Sequence, residues 1–267
     1  MKFSCIAILL ETRNGNAQAP VRMRKASMVE PLLLTTTRVS TFNNKYPLTE
    51  ASGFFFERDN RLFLVTSRHV VIDEPSKHLP NRIEIEIHND ASNLARSTGW
   101  SVLLYLEGKS VWRQGHDKGG DIDVAVIELD RAALPENVLF QTFTTANLLR
   151  SLEEVDVGAS ALVVGFPLGF HDGLHHLPVV RQATIASSFG LRFQGAGYFL
   201  TDARTHRGMS GAPVVMRRRS AGGQLQWKLL GVHSSRMDIS GRDLQLDETL
   251  GLNCAWYADI LLTLTAP

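Results

Sequence analysis

The sequence predicts an all-β protein, and three observations carry that reading. From Pro31 onward the chain runs as short stretches rich in Val, Ile, Thr and Phe, separated by Gly, Pro, Asn and Asp clusters, which is the punctuation of barrels and sandwiches. Arg82 to His88, RIEIEIH, alternates without a break, with Ile83, Ile85 and Ile87 on one face and Glu84 and Glu86 on the other, as a half-buried strand requires. A chain of 267 residues buries enough surface on folding to hold together without disulfide or metal.

The elements follow in order. Met1 to Ala19 carries Lys2, an apolar run from Phe3 to Leu10 and the small-residue site Ala17-Gln18-Ala19, the parts of a short signal peptide. Glu11 and Arg13 sit where a cleavage region is normally uncharged, so a tail over residues 1–28 and a cytoplasmic location are favoured, with export expected if 1–19 acts as a signal. Leu32 to Phe42 is a β-branched opening strand, and Gly53 to Ser67 reads as a hairpin turning at Asp59-Asn60. A polar loop, Arg113 to Gly120, leads into the apolar strand Asp121 to Leu129, which completes a first barrel over about 29–131. Residues 132–153 form the linker. The second barrel, about 154–246, has strands in Gly158 to Phe170, Val179 to Phe189 and Gly197 to Ala203, then a hairpin of Val214 to Arg219 with Gln224 to Ser235 across the turn at Ser220 to Gly223. Leu252, Trp256 and Ile260 repeat at helical spacing after Asp247-Glu248, which predicts a terminal helix over about 248–262.

Composition narrows the function classes. A net charge of +1 gives no electrostatic argument for nucleic acid or an acidic membrane, and no apolar run is long enough to span a bilayer. Cys5 and Cys254 build neither a disulfide framework nor a zinc spacing, and Cys254 reads as core packing. His171 to His176, HDGLHH, holds three histidines and an aspartate, but with no matching partner motif it reads as a surface loop and no metal is expected.

The chemistry concentrates in Thr201 to Val215, TDARTHRGMSGAPVV. Ser210 lies between Gly208 and Gly211 in a turn able to bend sharply and aim backbone N–H groups inward, the material of an oxyanion hole. A nucleophilic serine needs a base and a group to orient it, and two upstream segments supply candidates. LFLVTSRHVV presents His69 in a polar turn after a strand, and DIDVAVIEL places Asp121 and Asp123 at a strand head, two apart and on one side. Each motif alone is weak, since glycine-flanked serines and capping aspartates are common, but the three stand in the order His, Asp, Ser.

With these segments in place the chain resembles a trypsin-like serine protease of the chymotrypsin fold, of the bacterial kind, over residues 29–262. The serine loop TDARTHRGMSGAP is similar to that of HtrA-type proteases, and GVHSS, Gly231 to Ser235, to that of glutamyl endopeptidases. The resemblance implies two six-stranded antiparallel β-barrels with a short C-terminal helix, and a catalytic triad of His69, Asp123 and Ser210. Asp123 is selected because it precedes Val124-Ala125-Val126, with Asp121 as the fallback. It further implies an oxyanion hole from the N–H groups of Gly208 and Ser210, and a specificity pocket walled by Arg204, Thr205, His233 and Ser234. A histidine N–H and a threonine O–H suit a carboxylate or amide oxygen, so cleavage after Glu or Gln of a protein or peptide substrate is expected, with no cofactor. Met209 stands where zymogens of the family carry an aspartate, so activation by N-terminal cleavage is not expected. The alternatives are a noncatalytic peptide-binding module on the same fold, and an esterase using the same residues.

Overall fold

A computed structural model describes residues 29–152, 155–219, 223–237 and 251–267. The signal-like segment, Asp247-Glu248 and most of the turn at Ser220 to Gly223 lie outside the described residues.

The first half is an antiparallel sheet built from β1 (Thr36–Asn43), β2 (Tyr46–Arg58), β3 (Arg61–Thr66), β4 (Arg82–His88) and β5 (Ser97–Leu103). A small separate hairpin, β6 (Tyr105–Leu106) and β7 (Lys109–Ser110), precedes β8 (Trp112–Asp117) and β9 (Gly120–Leu129), and β10 (Phe143–Thr144) pairs with β2 in parallel. The strand order is β5-β4-β1-β2-β3-β9-β8. This sheet differs from a six-stranded barrel: it has eight strands, and its two ends are joined at Leu104 and Val111 by one N–H to carbonyl bond of 3.0 Å, because the β6–β7 hairpin occupies the connection.

The second half is the expected closed six-stranded barrel, β11 (Ser160–Gly165), β12 (Val179–Ile185), β13 (Tyr198–Asp202), β14 (Pro213–Arg219), β15 (Leu225–Arg236) and β16 (Leu252–Tyr257), ordered β11-β12-β13-β16-β15-β14. β16 corrects the expected helix over 248–262. Extended backbone at Leu252–Tyr257 closes the barrel between β13 and β15, a demand that overrides the helical spacing, and helix α2 is only Ile260–Leu264. At the opening strand, Pro31 starts a 3-10 turn through Thr35 that buries Leu32 and Leu34 before β1 begins.

Both faces of the central strands are buried, which explains their unbroken apolar runs. In β2, Phe55 joins the core of the first sheet, whereas Phe54 and Phe56 point the other way into a core shared by both halves. Val163, Val214 and Leu230 face the second barrel's interior, while Val164, Val215 and Leu229 meet Phe54, Phe56 and Phe63 across the seam. Each fully buried side chain of this kind contributes about 2–3 kcal/mol. The seam is finished by α2, whose Leu261 and Leu264 enter the shared core. Arg58 donates to the Leu262 carbonyl at 2.6 Å, and Arg113 to the Ala266 carbonyl at 2.5 Å.

Candidate active site

The cleft between the halves has a volume of about 730 Å³ and is lined in part by Glu50, His69, Leu168, Arg207, Gly208 and Ser210. His69 lies in α1 (Arg68–Val71), a single helical turn that follows β3 after Ser67. Asp123, at the head of β9, meets it at two points: the His69 backbone N–H donates to Oδ1 at 2.8 Å, and Nδ1 lies 2.7 Å from Oδ2. A carboxylate can only accept, so Nδ1 carries the proton and the Nε2 lone pair of the neutral ring is left for another donor. Burial disfavours the imidazolium, but the Asp123 hydrogen bond and charge, with Asp73 adding to them, outweigh it and hold the His69 pKa above its ordinary 6.5. Asp121, the competing carboxylate, turns instead to Arg68 at 3.2 Å and His116 at 3.1 Å.

Ser210 shares the cleft with His69, yet its hydroxyl donates to the Ser234 carbonyl at 3.0 Å rather than to the imidazole. The surrounding turn is tied to the first half by Ser52 of β2, fully buried and read in the sequence only as part of a strand. Its N–H donates to the Ser210 carbonyl at 2.9 Å, its Oγ donates to the Gly208 carbonyl at 2.7 Å, and the same Oγ accepts from the Phe166 N–H at 3.0 Å. Thr66 Oγ1 in turn donates to the Ser52 carbonyl at 2.8 Å. The N–H groups of Gly208 and Ser210 donate to no backbone carbonyl among the described residues outside regular strands and helices. Gly208 has φ +90°, and a Cβ there would sit 2.4 Å from the Phe166 carbonyl oxygen, so the position admits only glycine. Gly211, at φ +84°, is confined in the same way by the Ser52 carbonyl oxygen, 2.2 Å from a Cβ.

The expected pocket residues distribute differently. Ser234 Oγ donates to Asp123 Oδ2 at 2.5 Å, so its hydroxyl works behind the histidine rather than in a pocket wall. Thr205 is buried and donates to Asn253 Oδ1 at 2.5 Å; Asn253, unnoticed in the sequence, is itself held by the carbonyls of Ala203 and Gly251. His233 is buried on β15 with Nδ1 unpartnered among the described residues, and burial, then the neighbouring His69, push its pKa down to about 4. Arg204 is exposed and lends its carbonyl to Arg181 at 2.9 Å. None of these four lines the cleft described above.

Two packed β-halves with a carboxylate-held histidine and a glycine-flanked serine on one cleft define the class of chymotrypsin-like folds. The chain belongs to the trypsin-like peptidase family: the model of the trypsin-like peptidase domain matches residues 51–222. Among solved structures it is similar to a serine endoprotease from Yersinia pestis, with TM-score 0.50 and 18% identity over 87% of this chain and 62% of that one. The chain thus spans less than two thirds of that protein. Rv3671c from M. tuberculosis, in an inactive form, aligns with TM-score 0.45 and 16% identity over 93% of this chain and 98% of that one. An HtrA-type protease with a decapeptide aligns with TM-score 0.47 and 17% identity over 86% of this chain and 61% of that one. At 18% identity the likeness to the Yersinia pestis protein is one of fold. No curated protein matches the chain. Among the described residues no helix is long and apolar enough to cross a membrane.

Proposed function

We propose that the protein is a serine endopeptidase acting on protein or peptide substrates through an acyl-enzyme, with His69, Asp123 and Ser210 as its triad. The two-point grip of Asp123 on His69 carries this reading, because it fixes the tautomer whose Nε2 can accept a proton. Ser210 Oγ, once rotated from the Ser234 carbonyl to Nε2, attacks the scissile carbonyl carbon as its proton passes to His69. The tetrahedral oxyanion takes the N–H groups of Gly208 and Ser210, each donor contributing about 3–4 kcal/mol. The C–N bond then breaks, the amine leaves with the His69 proton, and water delivered by the same base hydrolyses the ester. Asp123 steadies the imidazolium throughout, and Ser234 Oγ holds Asp123 in turn.

For specificity, the proposal is cleavage after Glu or Gln, with Thr205 and His233 as recognition groups that reach substrate once the strands over them part and Thr205 gives up its bond to Asn253. A low pKa keeps His233 neutral at pH 7, so its N–H can donate to an amide or carboxylate oxygen. One observation favours a second reading: the Ser210 hydroxyl is engaged by Ser234 and not by His69, which suits a latent enzyme or a peptide-binding module.

Digestion of a proteome-derived peptide library, wild type against Ser210→Ala, separates these. Cuts after Glu or Gln that vanish in the variant support both mechanism and pocket, whereas cuts after other residues keep the mechanism and remove the pocket assignment. Absence of cuts together with no labelling of Ser210 by a fluorophosphonate leaves the binding module.

A further inference from the structure

We propose that Glu86, His171 and His176 form a binding site for a divalent cation of the zinc class, joining the first sheet to the second barrel. Their donor atoms lie within 4.8 Å of one another, although the carboxylate and the two rings are some 85 residues apart in the chain. The loop HDGLHH lacked a partner in the sequence, and β4 supplies one.

Each donor is prepared by its surroundings. His171 Nδ1 lies 2.6 Å from the Gly169 carbonyl oxygen. A carbonyl can only accept, so Nδ1 holds the proton and Nε2 presents a lone pair, the arrangement that outer hydrogen bonds impose on metal-binding histidines. Glu86 is oriented at both oxygens, with Arg38 donating to Oε2 at 3.0 Å and Ser97 Oγ to Oε1 at 2.8 Å. His176 Nδ1 is buried and lies 2.8 Å from Glu86 Oε1, yet it makes no hydrogen bond of acceptable geometry among the described residues. The buried Nδ1 is thus left without a partner beside a carboxylate oxygen, where a shared cation would satisfy both. Two ligands on one zinc, each at about 2.0–2.1 Å, stand about 3.3 Å apart, so this pair needs only a small opening and His171 a closure of about 1.5 Å at most. The loop is pinned where this requires it: His88 Nε2, two residues beyond Glu86, contacts the His175 carbonyl at 2.6 Å.

Two imidazole nitrogens and one carboxylate oxygen form a borderline donor set that suits zinc over calcium or magnesium, and leave a fourth position for water. The bound ion would fix the segment Leu168 to His171 against β4. Leu168 and Gly169 line the cleft, and the Leu168 N–H donates to the Arg207 carbonyl at 2.6 Å, the peptide that carries the Gly208 N–H. Occupancy is thereby transmitted to the serine turn, although the site stands independently of the peptidase reading.

The test is calorimetric titration of chelator-stripped protein with Zn²⁺, in a His69→Ala background so that the His69 and Asp123 pair does not take the ion. One equivalent is expected, with affinity lowered more than about a hundredfold when His171→Ala, His176→Ala or Glu86→Gln is added. Co²⁺ at the same site is expected to give the intense visible bands of a four-coordinate centre, and circular dichroism checks that each variant is folded. Failure to bind one equivalent, or affinity unchanged in both folded histidine variants, overturns the proposal.

Discussion

Replacing Ser52 by alanine tests how the serine turn is held. The residue is fully buried, and its hydroxyl both donates to the Gly208 carbonyl at 2.7 Å and accepts from the Phe166 N–H at 3.0 Å. Ser52→Ala leaves one buried carbonyl and one buried N–H without partners, at about 1–3 kcal/mol each, so a loss of about 2–6 kcal/mol is expected. For a chain of this size each kcal/mol moves the melting temperature by about 2–4 °C, giving a fall of roughly 4–24 °C. The catalytic effect is separate. Gly208 carries one proposed oxyanion donor, and its loss in full would cost about a hundredfold or more in kcat, so partial misplacement is expected to lower kcat by about tenfold with KM little changed. Calorimetry and steady-state kinetics on a cleaved library peptide read both. A variant melting within about 1 °C of wild type with undiminished kcat would refute the assignment of Ser52 as the anchor of this turn.

Three further outcomes are expected. Asp123→Asn should reduce kcat by about three to four orders of magnitude while Asp121→Asn leaves it within about twofold, measured by single-turnover acylation; equal effects would reassign the carboxylate. The rate should climb with pH through an apparent pKa above 6.5, because His69 must lose its proton to act as base; the same raised pKa gives stability that is full below 6.5 and disappears as pH rises through the folded value. His233 has the opposite sign: with its pKa down at about 4, the unfolded chain binds more protons between pH 6.5 and 4, so stability present above 6.5 drops by about 3 kcal/mol as pH falls to 4. Denaturant titrations across that window should show the loss, and His233→Gln should flatten it.

The sequence made legible whatever depends on local pattern. The Asp59-Asn60 turn is found with both residues at positive φ, 52° and 61°, as a two-residue hairpin turn demands. The alternation of Ile83, Ile85 and Ile87 puts all three in the first core. The motifs that present His69 and Ser210 were legible because strand ends and tight turns carry their own residue signatures, and both residues line the cleft. What stayed hidden depends on distant partners. Ser52 sits unremarkably before Gly53, and its role comes from Gly208 across the seam. The Asn253 side chain takes its bond from Thr205, 48 residues earlier, and the Ser234 hydroxyl gives its bond to Asp123, 111 residues earlier. The helical spacing of Leu252, Trp256 and Ile260 misled because barrel closure requires a strand there.

The arginine clasp on the last helix sets an order of events during synthesis. Arg58, Arg61 and Arg113 wait in the first half for the carbonyls of Leu262, Thr265 and Ala266, and Phe54, Phe56 and Phe63 wait for Leu261 and Leu264. A nascent chain that has made β1 to β9 therefore carries an aromatic face that Val164, Val215 and Leu229 cover in turn and that Leu261 and Leu264 complete only some 130 residues later. Since the cleft is lined from both halves, a growing chain cannot assemble the site on its first half alone, and Ser210 joins His69 only after the second half has begun to pack.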